Sequence, residues 1–580
     1  MKTKKSNRLK SNKKQNPLDE FRAEVINLIR EATNLKKEEI VLEKPPKEEF
    51  GDVSFPCFLL SKKFKKSPNI VAEEIAKKIK PKGLVVKIEP KGGYVNFFAN
   101  WDLIGQKTIE KIKEEKENFG KGFSKGNVMV EYCHFNTHKA VHIGHIRTTC
   151  LGESLSRILE FSGYKVIRVN YQGDIGPHVA RCIWGFLKLY NGKAPENEEK
   201  GKWLGKVYAE ASKKIKENPE LEKEVDEINK KIYAGNPELR KIWSETRQWS
   251  LDYFDKIYKT FGIKFDRFYF ESEVEKIGTE ISKKLLKKGI AEKSEGAILV
   301  NLEKYGLGIF LLVKSDGTPL YSAKDLGLAY LKTKEYRINK SIHVVGSEQK
   351  LYFQQLFKTF ELMKSPLAEK SYHLCYELVN LPTGKMASRE GLVILYEDVL
   401  NELEKHALEE TMKRHPNIEK QKIEKISKTI ALASLKYDML KTSPNKTIIF
   451  DWKSALDFEG NAAPYLLYAY ARARSIIRNA GKLEKDCDIS LLKEPHERDI
   501  IKMLASFPEI IKKSADDMRP HYIANFCYEL CTKFNEFYQF MPVLKAEEHI
   551  RKARLALVDA FSIVLKKALH LLGIEVLEEM

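Results

Sequence analysis

No apolar run in this 580-residue chain approaches the ~18 residues needed to cross a bilayer; the longest, such as GIFLLV at 308–313, stop far short. A membrane-spanning protein is therefore excluded. A secretory leader is also missing: MKTKKSNRLKSNKKQNP carries cations but no apolar stretch and no small-residue cleavage site, so a cytoplasmic protein is expected. Cysteine is sparse. The eight residues at 57, 133, 150, 182, 375, 487, 527 and 531 have neither the density nor the spacing of a disulfide framework. A chain this long can bury ~75% of its unfolded surface and needs no such framework. Cys527 and Cys531 lie four apart in FCYELCTKFNEFY with no second pair or clustered histidine beside them, so no structural metal is expected. No repeat of about 20–50 residues recurs, which removes solenoids and propellers.

What the chain does have is positive charge. Lys and Arg outnumber Asp and Glu by 101 to 81, and seven of the cations fall within residues 1–17, where there is no acid. An excess of this size fits a polyanionic partner, because neutralising phosphates releases counterions. A lysine-rich surface kept for solubility would give the same composition, so charge alone does not choose.

At roughly 100–200 residues per domain the length allows about three to five domains. Residues 1–17 form a basic tail expected to be disordered. Residues 18–105 mix helical periodicity (DEFRAEVINLIREATN) with short extended segments (LVVKIEP, GGYVNFFAN) and suggest a small α+β domain. Over 118–400 the pattern changes to short β-rich runs alternating with helices, which is the pattern of a parallel sheet with crossovers. NVMVEYC, YKVIRVNYQ, SIHVVG and YHLCYELVN are its strands, AILVNL and GIFLLVKSDGTPLY a hairpin-like addition, and 191–265 a charged helical insertion. From 401 to 580 only helical periodicity is expected. The fold class is multidomain, α/β plus all-α, with a Rossmann-type doubly wound sheet in the middle.

Two loops carry chemistry. After the first strand, HIGH (His142, Ile143, Gly144, His145) opens a helix, where free backbone N–H groups and the positive end of the helix dipole favour phosphate. Gly144 allows close approach of an adenine, and His142 and His145 can donate to phosphate oxygens. Directly after the last strand, PTGKMASREG supplies a cationic loop with Lys385, Met386, Ala387, Ser388 and Arg389. A helix N-terminus facing such a loop suits in-line attack on the α-phosphate of ATP, since charge builds on the phosphoryl oxygens and the departing pyrophosphate.

These two elements resemble the HIGH and KMSKS signatures of class I aminoacyl-tRNA synthetases, and the surrounding text resembles the arginyl-tRNA synthetases over about 18–580. EYCHFNTHKAVH follows the family pattern E-x-S-S-P-N-x-x-K-P-x-H, with Glu131, Asn136, Lys139 and His142 in register. RVNYQGDIGPHVA, LYSAKDLG, VGSEQ, IFDW, PYLLYAYAR, FNEFY, RLALVDAFSIVL and LLGIEVLEEM also match, as do FGDVSFP and GGYVNF near the N-terminus.

The resemblance implies activation of L-arginine by ATP with Mg²⁺, transfer to the 3′-terminal adenosine of tRNA-Arg, and no structural metal or membrane. It implies ATP binding by Lys139, His142, Gly144, His145, Lys385, Met386, Ser388 and Arg389, with Lys139, His142, His145 and Lys385 catalytic. Arginine would be held by Glu131, Asn136, Tyr321, Asp325 and Gln349. The N-terminal domain would touch the tRNA elbow. A helical domain at about 462–580 would touch the anticodon through Tyr465, Arg472, Phe534 and Tyr538. A monomer is expected.

Several positions depart from the pattern. Cys133, His134 and Phe135 replace S-S-P, Ser388 stands where KMSKS has its second lysine, and Leu467 and Tyr470 stand where Gln and His are frequent. Lys139, three residues before His142, would then supply the missing cation. Two rivals remain. A cysteinyl enzyme would want clustered Cys/His zinc ligands, and a silent tRNA-binding scaffold would have no need of HIGH, Asp325 and Lys385.

The tail has cations but no aromatic residue to stack on bases. Deleting residues 1–17 should weaken tRNA binding and flatten its salt dependence without changing which tRNA is preferred. Filter binding over a salt series checks this, and altered tRNA selectivity would count against it.

Overall fold

The computed structural model describes residues 16–380 and 395–580, apart from 415, 417, 418 and 485. Its centre is a sheet of five parallel strands: β1 (Gly126–Glu131), β2 (Tyr164–Gln172), β3 (Arg267–Phe270), β4 (Lys340–Gly346) and β5 (Ser371–Tyr376). They lie side by side in the order β3-β2-β1-β4-β5. The direction of winding reverses between β1 and β4, so the loops leaving these two strands part and open a crevice at their carboxyl ends. Alternation along β1 sends Val128 and Val130 into one apolar layer and Met129 into the other, with Glu131 last at the crevice.

Three strand expectations need correction. RFYF, after the insertion, is the edge strand β3; at four residues it was too short to stand out. YHLCYELVN is not one strand: β5 ends at Tyr376, and Val379–Asn380 pairs in parallel with Ile448–Ile449. The region beyond 401 is thus not purely helical, because IFDW contributes that short strand. AILVNL and GIFLLV do pair antiparallel, and Glu292–Ser294 adds a third strand beside them.

The insertion is helical, with helices Lys200–Glu217, Glu222–Tyr233 and Pro237–Phe261. The last begins where the sequence dictates: the Asn236 side chain accepts from the Leu239 N–H at 3.1 Å and Pro237 occupies the first turn. The C-terminal helices, from Tyr396–Arg414 to Glu548–Leu571, share one continuous apolar core with the sheet and with the helix Ile143–Phe161. Buried cations on backbone carbonyls tie these parts together. Arg147 donates to Met439 and Ser443, and Lys436 donates to Phe261 at 3.0 Å and Gly573 at 2.7 Å. Residues before 100 have a core of their own, including Phe21, Val25, Val95 and Phe97, under a three-stranded antiparallel sheet. Among the described residues no helix is long and apolar enough to cross a membrane.

One helix crossing sets the position of the pocket. Helix Tyr321–Glu335 lies against helix Glu271–Lys287 with glycine on both sides: a Cβ on Gly278 would stand 2.0 Å from the Ala323 carbonyl oxygen, and one on Gly327 2.4 Å from that of Val274. Alanine would gain ~1 kcal/mol of helix propensity at either site, but backbone overlap of this depth forces the helices apart and costs more. Gly327→Ala should therefore destabilise the protein by about 1–3 kcal/mol, seen as a lower Tm in thermal unfolding. An unchanged Tm would mean that the crossing is loose.

Candidate active site

The crevice holds a cavity of about 430 Å³ whose wall includes Glu131, Asn136, His145, Tyr321, Asp325 and Gln349. Six residues drawn from distant parts of the sequence thus meet in one place. Glu131 ends β1, Asn136 lies in the loop after it and bridges to Gly173, and Gln349 follows β4 at the head of helix Lys350–Leu362. Tyr321 and Asp325 occupy the first turns of their helix, and Tyr321 stands 58% exposed at the mouth rather than in the core.

His142 caps the helix Ile143–Phe161, and the rings of His142 and His145 lie 3.8 Å apart. Burial, then the charge of Lys139, lowers His142 to about 4; burial, then His142, holds His145 well below the usual imidazole range. Both are therefore neutral at pH 7 rather than cationic. The Nδ1 of His145 accepts from the His142 N–H at 3.2 Å, which leaves the His145 proton on Nε2. A Cβ on Gly144 would meet the His142 ring at 3.0 Å, so this glycine gives the imidazole its room.

The loop before HIGH is fixed by residues the sequence reading did not use. His138, buried with φ 64, meets Thr246 Oγ1 at 2.8 Å and Thr137 Oγ1 at 2.9 Å, and its N–H donates to Ser250 Oγ. Next to it, the Lys139 ammonium lies 4.9 Å from the ring centre of Tyr208. All of the insertion contacts come from its helices. Lys385, Met386, Ser388 and Arg389 lie outside the described residues.

The electrostatics of the inner wall are the most specific feature of the site. Glu131 is buried against Lys332, and His343 Nδ1 donates to its other oxygen at 3.1 Å. Burial opposes its ionisation, yet Lys332 and then His343 hold it below the usual carboxylate range. His343 itself is lowered to about 4 by burial and Lys332, and is neutral. Glu271, raised by burial, is paired with buried Lys324 at 2.7 Å. Among the described residues Asp325 has no cationic partner. It accepts the Tyr352 hydroxyl at 2.5 Å, and burial pushes it up to about 7 against that bond. Of the three inner carboxylates described, two meet ammonium groups and Asp325 does not. Glu348, the other carboxylate of the wall, stands at the exposed rim, where water solvates it.

Sequence reading missed Lys324 and Lys332, since a lysine on a helix ordinarily marks a solvated face. The available signal was their spacing, with Leu328 between them, on the face that also carries Leu331.

In the C-terminal helices, Arg472 donates to Asn535 at 2.7 Å and lies 4.9 and 4.8 Å from the ring centres of Tyr468 and Tyr538, the latter 46% exposed. Tyr465 is partly buried, with its hydroxyl 3.5 Å from Thr532 Oγ1. Phe534 must be withdrawn as a tRNA contact: it is 0% exposed and stacked on Phe561 at 3.9 Å, so RNA cannot reach it. Leu467 and Tyr470 are also buried, and the Tyr470 hydroxyl donates to Glu578 at 2.7 Å. Among the described residues no group of three or more His, Cys, Asp or Glu side chains is gathered to hold a metal.

A parallel sheet wound in this order, with HIGH opening a helix beside an amino-acid-sized cavity at its switch point, defines a class I aminoacyl-tRNA synthetase catalytic unit. The family described as tRNA synthetases class I (R), catalytic domain, matches residues 107–452, the arginyl-tRNA synthetase N-terminal domain 19–99, and the DALR anticodon binding domain 466–580. The chain belongs to the arginyl-tRNA synthetase family. It is 36% identical to the arginine–tRNA ligase of Clostridium botulinum strain 657 over 562 residues, covering 96% of this chain and 99% of that one. Identity to the Clostridioides difficile strain 630 ligase is also 36%, over 97% and 100% of the two chains. The solved arginyl-tRNA synthetase of Thermus thermophilus superposes with a TM-score of 0.81 at 26% identity, covering 96% of this chain and all of that one.

The unpaired Asp325 generates a pH dependence. Its value is raised to about 7, so below that pH it carries a proton that a guanidinium must displace. L-Arginine affinity should be highest above about pH 7 and fall up to about tenfold per pH unit below it, while Asp325→Asn flattens the profile and costs about 2–5 kcal/mol. Calorimetric titration across this range checks both, and a flat wild-type profile would refute the assignment.

Proposed function

We propose that the chain activates L-arginine with ATP to arginyl-adenylate and pyrophosphate, then passes the arginyl group to the 3′-terminal adenosine of tRNA-Arg. The observation that supports this reading is a single cavity with a phosphate-favouring helix N-terminus at one end and a carboxylate lacking a cation at the other. Asp325 takes the guanidinium, with Tyr321 at the mouth offering a flat face to cover it. Asn136 and Gln349 hold the α-amino group. The arginine carboxylate is then directed at the α-phosphate; its oxygen forms the new P–O bond as the bond to pyrophosphate breaks. In the second step a ribose hydroxyl of the terminal adenosine attacks the arginyl carbonyl, and AMP departs.

Binding energy and fixed charge do this work, with no covalent enzyme intermediate. His142 and His145 contribute neutral N–H donors to phosphate oxygens, and the helix N-terminus adds its dipole. Mg²⁺ would enter on the triphosphate of its substrate. Lys385 and Arg389 would approach the phosphates from the KMASR loop. Lys139 would replace the cation that Ser388 does not provide, and its charge is already felt by both HIGH histidines. Tyr465, Arg472 and Tyr538 would receive the anticodon arm, the N-terminal domain would receive the tRNA elbow, and the protein would work as a monomer in the cytoplasm.

Arginine-dependent ATP–pyrophosphate exchange, measured with and without tRNA-Arg, tests the reaction; no exchange under either condition would overturn it. Within it, Lys139→Ala should slow adenylate formation about a hundredfold, or ~3 kcal/mol, with little effect on tRNA binding, while Lys385→Ala acts similarly or less. Near wild-type single-turnover activation by the Lys139 variant would shift the burden to Lys385 and Arg389.

A further inference from the structure

Tyr171 is the last inward-facing residue on one side of β2. Strand alternation puts Ile167, Val169 and Tyr171 on the face covered by helices Glu271–Lys287 and Tyr321–Glu335. Ile167 and Val169 end in the apolar cluster with Met129, Tyr269 and Leu328. Tyr171, one step nearer the carboxyl end, borders that cluster and joins the cavity wall. Its hydroxyl is buried and makes no hydrogen bond with the described residues. The charged and polar groups around it are Asp325, Glu271, Tyr352 and Glu131, and burial together with them keeps its proton on well above the usual phenol range. The backbone is held as well, since the Tyr171 carbonyl lies 3.3 Å from His134 Nδ1.

A buried hydroxyl without a partner costs stability, and its position beside the unpaired carboxylate suggests what would satisfy it. A guanidinium brings five N–H donors. Asp325 offers two oxygens, one already occupied by Tyr352, while Glu131 and Glu271 are taken by Lys332 and Lys324. A further carboxylate would supply acceptors but would also add a second unmatched charge. A phenol oxygen supplies a lone pair and leaves the charge balance untouched.

We propose that Tyr171 is an arginine-specificity residue whose hydroxyl accepts a guanidinium N–H alongside Asp325. This rests on the arginine reading above and adds a neutral acceptor to its pocket. The free energy that a buried hydroxyl without a protein partner costs is recovered when the guanidinium binds.

The test is Tyr171→Phe, which removes one oxygen atom and keeps the ring. In the full-length enzyme the Tm without ligand should stay the same or rise, because no protein hydrogen bond is lost. The KM for arginine in ATP–pyrophosphate exchange should rise about tenfold, the KM for ATP should not change, and the thermal shift produced by saturating L-arginine should shrink. A structural role would instead lower the unliganded Tm. That result, an unchanged arginine KM, or an equal rise in both KM values would each overturn the proposal. If the wild-type enzyme gave no arginine-dependent exchange, the arginine reading itself would fail, so the two failures are distinguishable.

Discussion

One negative charge with no cationic partner among the described residues, that of partly buried Asp325 in a wall whose buried carboxylates Glu131 and Glu271 have ammonium partners, is the constraint around which this site is organised. A charge largely withdrawn from solvent without a counter-ion is costly, and burial accordingly raises this carboxyl to about 7. Keeping that charge in place requires rigid surroundings. The Gly278 and Gly327 crossing brings the helix of Asp325 to within backbone contact of its neighbour. β1 supplies Glu131, which pairs with Lys332 of the same helix, and β4 supplies His343, which donates to the other Glu131 oxygen. Relaxing either support would let water into the wall, and the charge would lose its selectivity for a cation.

The phosphate end depends on a different support. The loop between β1 and HIGH has two non-glycine residues with positive φ, Cys133 and His138, and the bulky His138 is unfavourable there unless packing holds it. The insertion provides that packing through Thr246, Ser250 and Tyr208. The charged helices between β2 and β3 therefore support the loop that leads into HIGH, and the same chain segment that lengthens the crossover fixes where Lys139 can reach. The two ends differ in kind: the proposed amino-acid end is lined by formal charges, and the proposed phosphate end has neutral imidazoles, a helix dipole and a partly exposed lysine.

How much of this was legible in the sequence follows from which interactions are local. HIGH at a strand-helix junction is a local pattern, as are Tyr321 and Asp325 one turn apart, and His145, Tyr321 and Asp325 line one cavity. The edge strand Arg267–Phe270 has four residues and no alternation to reveal it, since its pairing with β2 comes from a segment almost a hundred residues earlier. Lys332 and Glu131 are separated by two hundred residues and are paired only by the fold, so neither could be recognised as half of a buried ion pair. Phe534 failed for the opposite reason. It sits in a motif associated with tRNA, but it is packed onto Phe561, whereas Tyr538 on the same helix keeps its ring exposed.

The charge balance also bears on which ligands the cavity must refuse. A ureido side chain has nearly the shape of a guanidinium but no charge, so it would leave Asp325 either ionised without a counter-ion or protonated and deprived of its electrostatic attraction. A lysine ammonium would satisfy the charge, but its three donors radiate from one atom, and a planar fork is what allows two acceptors on one side to be met together. The ordinary limit on discrimination between isosteres, a few kcal/mol from shape, therefore does not apply to this pocket; rejection comes from buried polar groups left unpaired, which is the larger effect. Under the proposed reading no hydrolytic second site is needed to explain selectivity for arginine, because the cavity would penalise the two nearest errors by separate physical means, charge for one and geometry for the other.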